Sequence, residues 1–498
     1  MASHLRFLVR QGLCGVLLVT GLALQGVHAG NYLQVGVFSD EKATKVVIDY
    51  LKSQGFEASQ RAIEVLDRKS YVVLIGPFEH SSEALSDQKR LREKGISSSI
   101  KRYPDLPKPE PKPEPKPSAF KTSVSGLVAA EVRDFPDEGL YSPDQLDTTA
   151  SVMLQPEFYM SWNDRKSSIT FVPFVRAGDK DDERNHADVR ELMWINAHDN
   201  WELRLGVGKV FWGVTESAHI VDVINQTDFV ENIDGEDKLG QPMVNLSWFS
   251  DWGTWDLFAL PLFRERTFPG EKGRFRGPLV VDTSQPALYE SPDKDKHFDW
   301  AIRWSQYIGE LDIGVSHFSG TDREPEFVLG TNSAGQNVLI PKYNLMNQTG
   351  LTLQAILGEW LLKLEATSTD ELDRRYTEAV TGFEYTYVGL FGSVIDLGFI
   401  LEYLYDERGA QAPSGFEDDV MAGLRWVFND MQSTEILMGI IFDRGTSAKL
   451  SNIEASRRLG QNWRLALEYR GWHSIDSTDP GYILRNDSYV QLELGYYF

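Results

Sequence analysis

The last eleven residues of the chain, 488–498, alternate between apolar and polar side chains. A period of two places successive side chains on opposite faces of an extended strand. One face of this predicted strand carries only apolar and aromatic residues: Val490, Leu492, Leu494, Tyr496 and Phe498. Such a strand fits either the edge of a soluble β-sandwich or the wall of a membrane barrel, and the remainder of the sequence decides between them.

The same alternation recurs in segments from residue 122 to the end of the chain. We predict 18 strands, at 122–134, 149–162, 167–177, 188–198, 201–210, 243–250, 253–262, 297–307, 310–319, 347–357, 359–369, 376–388, 393–405, 418–428, 432–443, 446–457, 462–473 and 487–498. Tight connections of one to four residues alternate with longer ones, which is typical of transmembrane barrels. We therefore predict an all-β transmembrane barrel of about 18 antiparallel strands, with 16 as the alternative.

The final strand resembles the last strand of bacterial outer-membrane barrels, which also ends on an aromatic residue. The resemblance implies that Phe498 is the signal presented to the barrel assembly machinery. It also implies contact with outer-membrane lipid and lipopolysaccharide.

Residues 1–29 have the pattern of a secretory signal peptide. Arg6 and Arg10 precede an apolar run at 13–24, and Ala29 ends a small-residue cleavage site. The run is too short to count as a spanning helix. The one cysteine, Cys14, lies inside this segment, so the predicted mature chain has no disulfide, thiol catalyst or cysteine metal ligand.

Composition divides the remaining chain into three parts. Residues 31–103 are nearly neutral, with 12 basic and 10 acidic residues. Residues 104–119 are a Pro/Lys/Glu spacer, which favours an extended polyproline conformation. Residues 120–498 form the predicted barrel and carry 60 acidic against 33 basic residues, a net charge of −27. A chain this acidic is not expected to bind nucleic acid.

The segment 31–103 has the pattern of two βαβ units, which predicts an α+β domain of four strands and two helices. Its stretches Gln-Val-Gly-Val-Phe (34–38) and Tyr-Val-Val-Leu-Ile-Gly-Pro-Phe (71–78) resemble the SPOR domain. The resemblance implies a periplasmic domain that binds peptidoglycan glycan strands lacking stem peptides, through the open face of the sheet. Alternation assigns to this face Gln34, Gly36, Val72, Leu74 and Gly76. Family members usually have polar residues at positions 72 and 74, so docking on protein is the alternative role of this face.

The polar faces of the predicted barrel strands carry charges of both signs. Charges that point away from lipid must point into a lumen. We predict as pore-lining residues Glu202, Arg204, Asp299, Arg303, Lys363, Glu365, Arg425, Arg464, Glu468 and Arg470. A barrel of this size has room for water unless loops plug it.

The loop after the fifth strand is unusually apolar. It contains Trp212, Asp222 and Asn225, and its Trp-Gly and Asp-Val-Ile-Asn stretches resemble those of several poorly characterised proteobacterial outer-membrane barrels. We expect this loop to fold into the lumen as a constriction, and a cap on the barrel rim is the alternative.

No catalytic set, metal site or cofactor site is predicted, and we expect no enzymatic activity. The acidic runs at 179–183 and 228–237 lack the spacing of a calcium loop, and Ser217 beside His219 does not make a triad. Solvated loop charge or divalent bridging to lipopolysaccharide explains the acidic runs better. The sequence favours a porin-like diffusion channel tethered to peptidoglycan. The alternative is an anchor between outer membrane and peptidoglycan, or a polysaccharide-export conduit, in which diffusion is secondary.

Overall fold

The computed structural model describes residues 29–38, 41–65, 68–78, 81–94, 96, 98–104, 120–372, 374–413 and 415–498. The predicted signal peptide, apart from Ala29, and the predicted spacer, apart from Pro104, lie outside these residues. Within the described ranges, no helix has the length and apolar character needed to cross a membrane.

The N-terminal domain has the predicted four strands and two helices. They are β1 (Ala29–Phe38), α1 (Glu41–Ser53), β2 (Ala58–Val65), β3 (Arg68–Phe78), α2 (Ser81–Glu93) and β4 (Ser99–Pro104). The strands form one antiparallel sheet in the order β2-β3-β1-β4. Alternate side chains of β1 and β3, such as Leu33 and Ile75, are fully buried against Leu51 of α1 and Leu91 of α2. The domain therefore has its own hydrophobic core.

Strict alternation fails in β1, which corrects one predicted position. Gln34 lies opposite Leu74, but a register shift then brings Gly36 opposite Val73. Val73 belongs to the core beneath the helices, so Gly36 does not share the face of Gln34. A bulge inserts an extra residue into one strand and reverses the side-chain order beyond it. The apolar/polar alternation of the sequence does not reveal such a bulge.

Eighteen strands form a closed barrel, as predicted, and the alternative count of 16 is wrong. The barrel strands are β5 (Lys121–Asp134), β6 (Thr148–Trp162), β7 (Ser167–Ala177), β8 (Ala187–Ala197), β9 (Trp201–Gly208), β10 (Gln241–Ser250), β11 (Gly253–Leu260), β13 (Asp299–Ile308), β14 (Leu311–Thr321), β17 (Leu345–Leu357), β18 (Trp360–Glu371), β19 (Arg374–Tyr387), β20 (Asp396–Asp406), β21 (Asp418–Val427), β22 (Glu435–Asp443), β23 (Lys449–Leu459), β24 (Trp463–His473) and β25 (Tyr489–Tyr497). Strands adjacent in sequence pair antiparallel, and β25 closes on β5.

Three further short strands lie in the long loops and were not predicted. They are β12 (Leu288–Tyr289), β15 (Glu326–Thr331) and β16 (Asn337–Tyr343), and they form a separate sheet in the order β12-β16-β15. Long connections gather at one end of the barrel and short turns at the other, which we call the long-loop end and the short-turn end.

Alternation is maintained around the barrel wall. On β25, Val490, Leu492 and Leu494 are exposed on the outside, whereas Tyr489 is fully buried on the inside. On β9, Leu205 is exposed while Glu202 is buried. The outer surface is thus an apolar belt and the inner surface carries the charges, as transmembrane barrels require.

Candidate functional site

Residues 209–240, between β9 and β10, lie inside the barrel, and we call them the crossing segment. One side of this segment is apolar and packs on the wall formed by β8–β17. Trp212 meets Phe258 edge to face, with ring centroids 5.7 Å apart. The buried cluster on this side contains Met193, Trp212, Val221, Val223, Ile224, Met243, Phe258, Leu260, Ala301, Phe318 and Met346. Burial of so many apolar side chains fixes the segment against this wall.

The tip of the crossing segment continues onto a neighbouring part of the wall. Ala218 and Ile220 pack against a buried apolar patch on β19–β21, made by Val380, Ile400, Leu404 and Met421. The segment therefore follows the inner wall from β8 to β21 and bridges these two clusters rather than capping the rim. Whether this bridge controls the passage of solutes stays a prediction.

Two buried wall carboxylates hold the backbone of the tip. Glu365 of β18 accepts hydrogen bonds from the amides of Val214 and Thr215, at 2.6 and 2.9 Å. It also accepts one from the Thr215 hydroxyl at 2.7 Å. A buried carboxylate is costly unless donors surround it, and these donors supply the compensation.

Glu402 of β20 repeats this arrangement two residues further along the tip. It accepts hydrogen bonds from the amides of Glu216 and Ser217, both at 2.8 Å, and from the Ser217 hydroxyl at 2.6 Å. Glu365 and Glu402 are almost completely buried. We call this pair the carboxylate clamp.

Charged side chains of the tip complete its attachment. Glu216 pairs with Arg425 at 2.7 Å and with Lys363 at 3.5 Å. His219 Nε2 lies 2.9 Å from Glu236, and its Nδ1 lies 3.7 Å from Glu365. Burial lowers the pKa of His219, but the contacts with the two carboxylates outweigh this and raise it to about 10. His219 is therefore a cation at neutral pH.

The three residues predicted for the constriction hold the segment in shape. Asp222 accepts hydrogen bonds from the amides of Trp212 and Gly213, at 2.6 and 3.1 Å. Asn225 accepts one from the Val210 amide at 2.8 Å, and its amide group donates to the Gly208 and Leu239 carbonyls. Trp212 packs in the buried apolar cluster. Asp222 and Asn225 hold the backbone of the crossing segment through these hydrogen bonds.

The second half of the crossing segment is tied to β5–β8 by buried ion pairs. Arg176 pairs with Glu231 of the segment at 2.7 Å and with Glu131 at 3.1 Å. Arg184 pairs with Glu131 at 2.6 Å and with Asp179 at 3.1 Å. We call this group the buried ion network. The sequence predicts that Glu131 and Arg176 lie on strands, but it does not predict their pairing, because inward placement is the only signal it offers.

His186, Asp228 and Glu231 lie close enough together to suggest a metal site. Arginines already occupy both carboxylates, because Arg190 lies 2.5 Å from Asp228 and Arg176 holds Glu231. Burial raises the pKa of Asp228, but the contacts with His186 and Arg190 lower it overall. The group fits an ion-pair network better than a metal centre.

The ten predicted pore-lining residues all lie on the inward face but differ in access to water. Glu202, Asp299, Lys363 and Glu365 are buried. Asp299, for example, pairs with Arg323 at 2.8 Å. Arg303 faces Asp256 across β11 and β13. Arg464 is exposed, Arg204 is 38% exposed in its side chain, and Arg425, Glu468 and Arg470 are partly exposed.

Solvent reaches inward-facing side chains beside β23 and β24. Glu454 of β23 and Glu236 of the crossing segment keep about half of their side chains exposed, 46% and 53%. Between them Arg470 pairs with Asp234 and Glu468, both at 2.7 Å, and with Glu454 at 3.3 Å. Three carboxylates thus pair with one guanidinium beside β23 and β24.

The loop 261–298 covers part of the long-loop end. Arg274 pairs with Asp487 at 2.8 Å, and Phe275 packs between Phe135, Trp472 and Tyr489. The loop is therefore anchored over the sector where β25 closes on β5.

In the N-terminal domain, the predicted glycan-binding residues differ in their exposure to solvent. Val72 and Leu74 lie on the sheet face away from the helices but are buried with Tyr32 in a separate cluster. Gln34 on this face is partly exposed, and its neighbour Ser99 on β4 is exposed. Gly76 has φ +117°, and its amide donates to the Glu57 carbonyl, so it shapes the backbone.

Comparison with known proteins identifies this domain. Residues 28–102 match the family described as SPOR domain. The N-terminal domain is a SPOR domain. No curated protein matches the chain.

Among solved structures, the barrel is similar to the outer-membrane protein OmpT of Vibrio cholerae in its trimer form. That match has 12% identity and a TM-score of 0.40, over 76% of this chain and all of that chain. A mutant of the Rh. blastica porin gives 12% identity and a TM-score of 0.39 over the same shares. The SPOR domain precedes a closed 18-stranded barrel, and similarities this distant carry no information on function.

Proposed function

We propose that the protein is a diffusion channel of the bacterial outer membrane, tethered to peptidoglycan through its SPOR domain. The observation that carries this proposal is the closed 18-stranded barrel, apolar outside and charged inside, whose interior reaches solvent along Glu454, Glu236 and Arg464. A water-filled passage lined by fixed charges conducts ions.

Topology supports an orientation for the barrel. Lys121 begins β5 opposite Ser161, next to the short turn at 163–166, so the SPOR domain joins the barrel at the short-turn end. A domain that binds peptidoglycan must be periplasmic. The short-turn end then faces the periplasm and the long-loop end faces outward, which is the usual orientation of such barrels. Lipopolysaccharide and the barrel assembly machinery remain predicted partners.

Conductance of the purified full-length protein in planar lipid bilayers tests the channel. We expect discrete, reproducible steps that persist at low voltage. A protein that inserts, shows heat-modifiable migration and yet conducts nothing at any voltage contradicts this function.

Co-sedimentation with peptidoglycan tests the tether. The segment 30–104 has its own hydrophobic core, so it can be assayed alone with sacculi, with and without amidase treatment. We expect it to pellet more strongly with stripped sacculi, and we expect Gln34→Ala to weaken pelleting. Equal recovery in the supernatant with and without sacculi contradicts the tether.

One observation favours the alternative, an anchor or a polysaccharide-export conduit in which diffusion is secondary. The crossing segment contacts the wall along β8–β21 and also β24, where Asp234 pairs with Arg470, and the loop 261–298 covers part of the long-loop end. Peptidoglycan binding without conductance would support this alternative. Neither function includes an enzymatic step. The Ser217 hydroxyl donates to Glu402 and His219 contacts Glu236 and Glu365, which supports a structural role for both residues in this proposal.

A further inference from the structure

The barrel wall is lower on one side than elsewhere. Strands β9, β10 and β11 contain eight to ten residues, whereas β5 and β6 contain 14 and 15. The register pairs β8 with β9 only over Leu192–Ala197. The long-loop half of β8, residues 187–191, therefore rises beyond the end of β9 and leaves a notch in the wall.

A groove of about 480 Å³ lies at this notch. Its lining consists of Ala187, Asp188, Val189, Val207, Gly240, Pro242 and Arg264. Val207 continues the outward face of Leu203 and Leu205, and Ala187 pairs with the outward and exposed Val175. The apolar walls of the groove therefore belong to the lipid-facing surface.

Gly240 keeps the groove open. A Cβ at this position would lie 2.6 Å from the Val207 side chain and 2.7 Å from the Arg190 carbonyl oxygen. Any larger residue would fill the floor of the groove or displace the edge of β8.

Arg264 forms the polar end of the groove. It donates to the Gly240 carbonyl at 2.9 Å and to Asp188 at 2.8 Å, and 29% of its side chain stays exposed. Asp188 is shared with Arg190, which lies 3.1 Å away. A guanidinium has five N–H donors, so Arg264 retains donors for another acceptor. Arginine is well suited to phosphate, because its planar donors match the phosphate oxygens.

We propose that the groove binds an outer-leaflet lipid, with one acyl chain against Val189, Val207 and Pro242 and its phosphate on Arg264. A cationic group at the polar end of an apolar, membrane-facing groove complements a molecule that is anionic at one end and apolar along its length. The inference requires only that the long-loop end faces outward, as proposed above. It does not require conduction, so a silent channel leaves it intact.

The test measures lipid retained by the full-length protein after purification in mild detergent. Native mass spectrometry and fatty-acid and phosphorus analysis report the bound lipid. We expect about one phosphate-bearing lipid per wild-type chain and at least a fivefold loss in both Arg264→Gln and Val207→Trp. The first variant removes the phosphate contact and the second fills the groove. Arg444→Gln is the matched control, because it removes an arginine–aspartate pair at the long-loop end, outside the groove.

Heat-modifiable migration confirms that each variant is folded, and two independent variants guard against a folding defect in either one. Equal retention in the wild type and both variants overturns the proposal, as does a wild type without lipid. The last experiment uses inorganic phosphate in place of the lipid. If phosphate alone protects Arg264 from guanidine-directed labelling as well as lipid does, and Val207→Trp leaves that protection unchanged, the site recognises a free anion and the lipid proposal is wrong.

Discussion

The two halves of the barrel interior differ in how far their charged side chains are exposed to solvent. In the long-loop half, Arg176, Arg184 and Glu131 keep less than a tenth of their side chains exposed, and each is paired. In the short-turn half, Arg464 is exposed and Arg204 is 38% exposed in its side chain, although its partner Glu202 is buried. Strand alternation directs charges inward in both halves. The loops that enter the barrel decide which of these charges meet water.

This difference in exposure changes the free-energy cost of removing one partner of an ion pair. Removing one partner of a buried ion pair costs about 3–5 kcal/mol, because the other charge stays buried and unpaired. Exposed pairs contribute about 0–1 kcal/mol. We therefore expect the long-loop half to behave as a rigid frame for the crossing segment, and the exposed Arg464 of the short-turn half to tolerate a change of charge.

The largest expected effect follows from removing the tip of the crossing segment. Deletion of residues 213–221 joins Trp212 to Asp222, which are already in hydrogen-bond contact. The bridge between the two apolar clusters of the wall is then lost, and we expect a several-fold rise in single-channel conductance. The matched control deletes the nine residues 330–338, which joins the cross-strand neighbours Leu329 and Leu339 of an outer hairpin. Unchanged conductance in the tip deletion would show that the segment does not restrict the passage.

A smaller effect is expected from weakening the carboxylate clamp. In the double variant Glu365→Gln and Glu402→Gln, each side chain places an NH₂ group among backbone N–H donors. A hydrogen bond to a charged group contributes about 1.5–3 kcal/mol, so the tip should detach intermittently. We expect current traces with frequent transitions to a higher level. Glu202→Gln is the control, because Glu202 is equally buried on the wall but pairs with Arg204. Steady traces in the double variant would contradict a holding role for the clamp.

The same comparison explains how far the sequence predicts the structure. Alternation is a local signal, so all 18 strands were found within a few residues. The clamp was not found, because Glu365 and Val214 are 151 residues apart in the chain. Inward placement of Glu365 was predictable, but its partner depends on the path of the crossing segment. Gly36 was misplaced because a bulge changes the register without changing the residue pattern.

A moderate effect is expected on ion selectivity. Glu454 and Glu236 are the most exposed carboxylates along the passage, and fixed negative charge concentrates cations there. We expect the wild type to prefer cations at low salt, and we expect Glu454→Gln with Glu236→Gln to reduce the reversal potential in a KCl gradient. The preference should fade toward 1 M salt, where the Debye length is about 3 Å. Glu326→Gln, on an outer hairpin, should leave it unchanged. Anion preference in the wild type at low salt would contradict this account.

The smallest expected effect is a pH dependence that originates in the crossing segment. Burial, together with the neighbouring Asp234 and Glu231, raises the pKa of Asp237 to about 7. The unperturbed value of this carboxyl is 3.8. The neutral form of Asp237 therefore stabilises the folded segment fully below about pH 3.8. This stabilisation is lost as the pH rises through about 7, because the folded state must then hold a third negative charge beside Asp234 and Glu231.

We expect current fluctuations of the wild-type channel to increase between pH 5.5 and 8, and we expect Asp237→Asn to remove that increase. Comparing these two proteins isolates Asp237, because every other titrating group is common to both. His219 stays protonated across this range, since its pKa is about 10. Asp144→Asn, which changes an exposed carboxyl in another loop at the long-loop end, should behave like the wild type. If Asp237→Asn keeps the full pH response, the charge of Asp237 does not affect the crossing segment. The attachment of the crossing segment would then depend on the buried ion network and the carboxylate clamp alone.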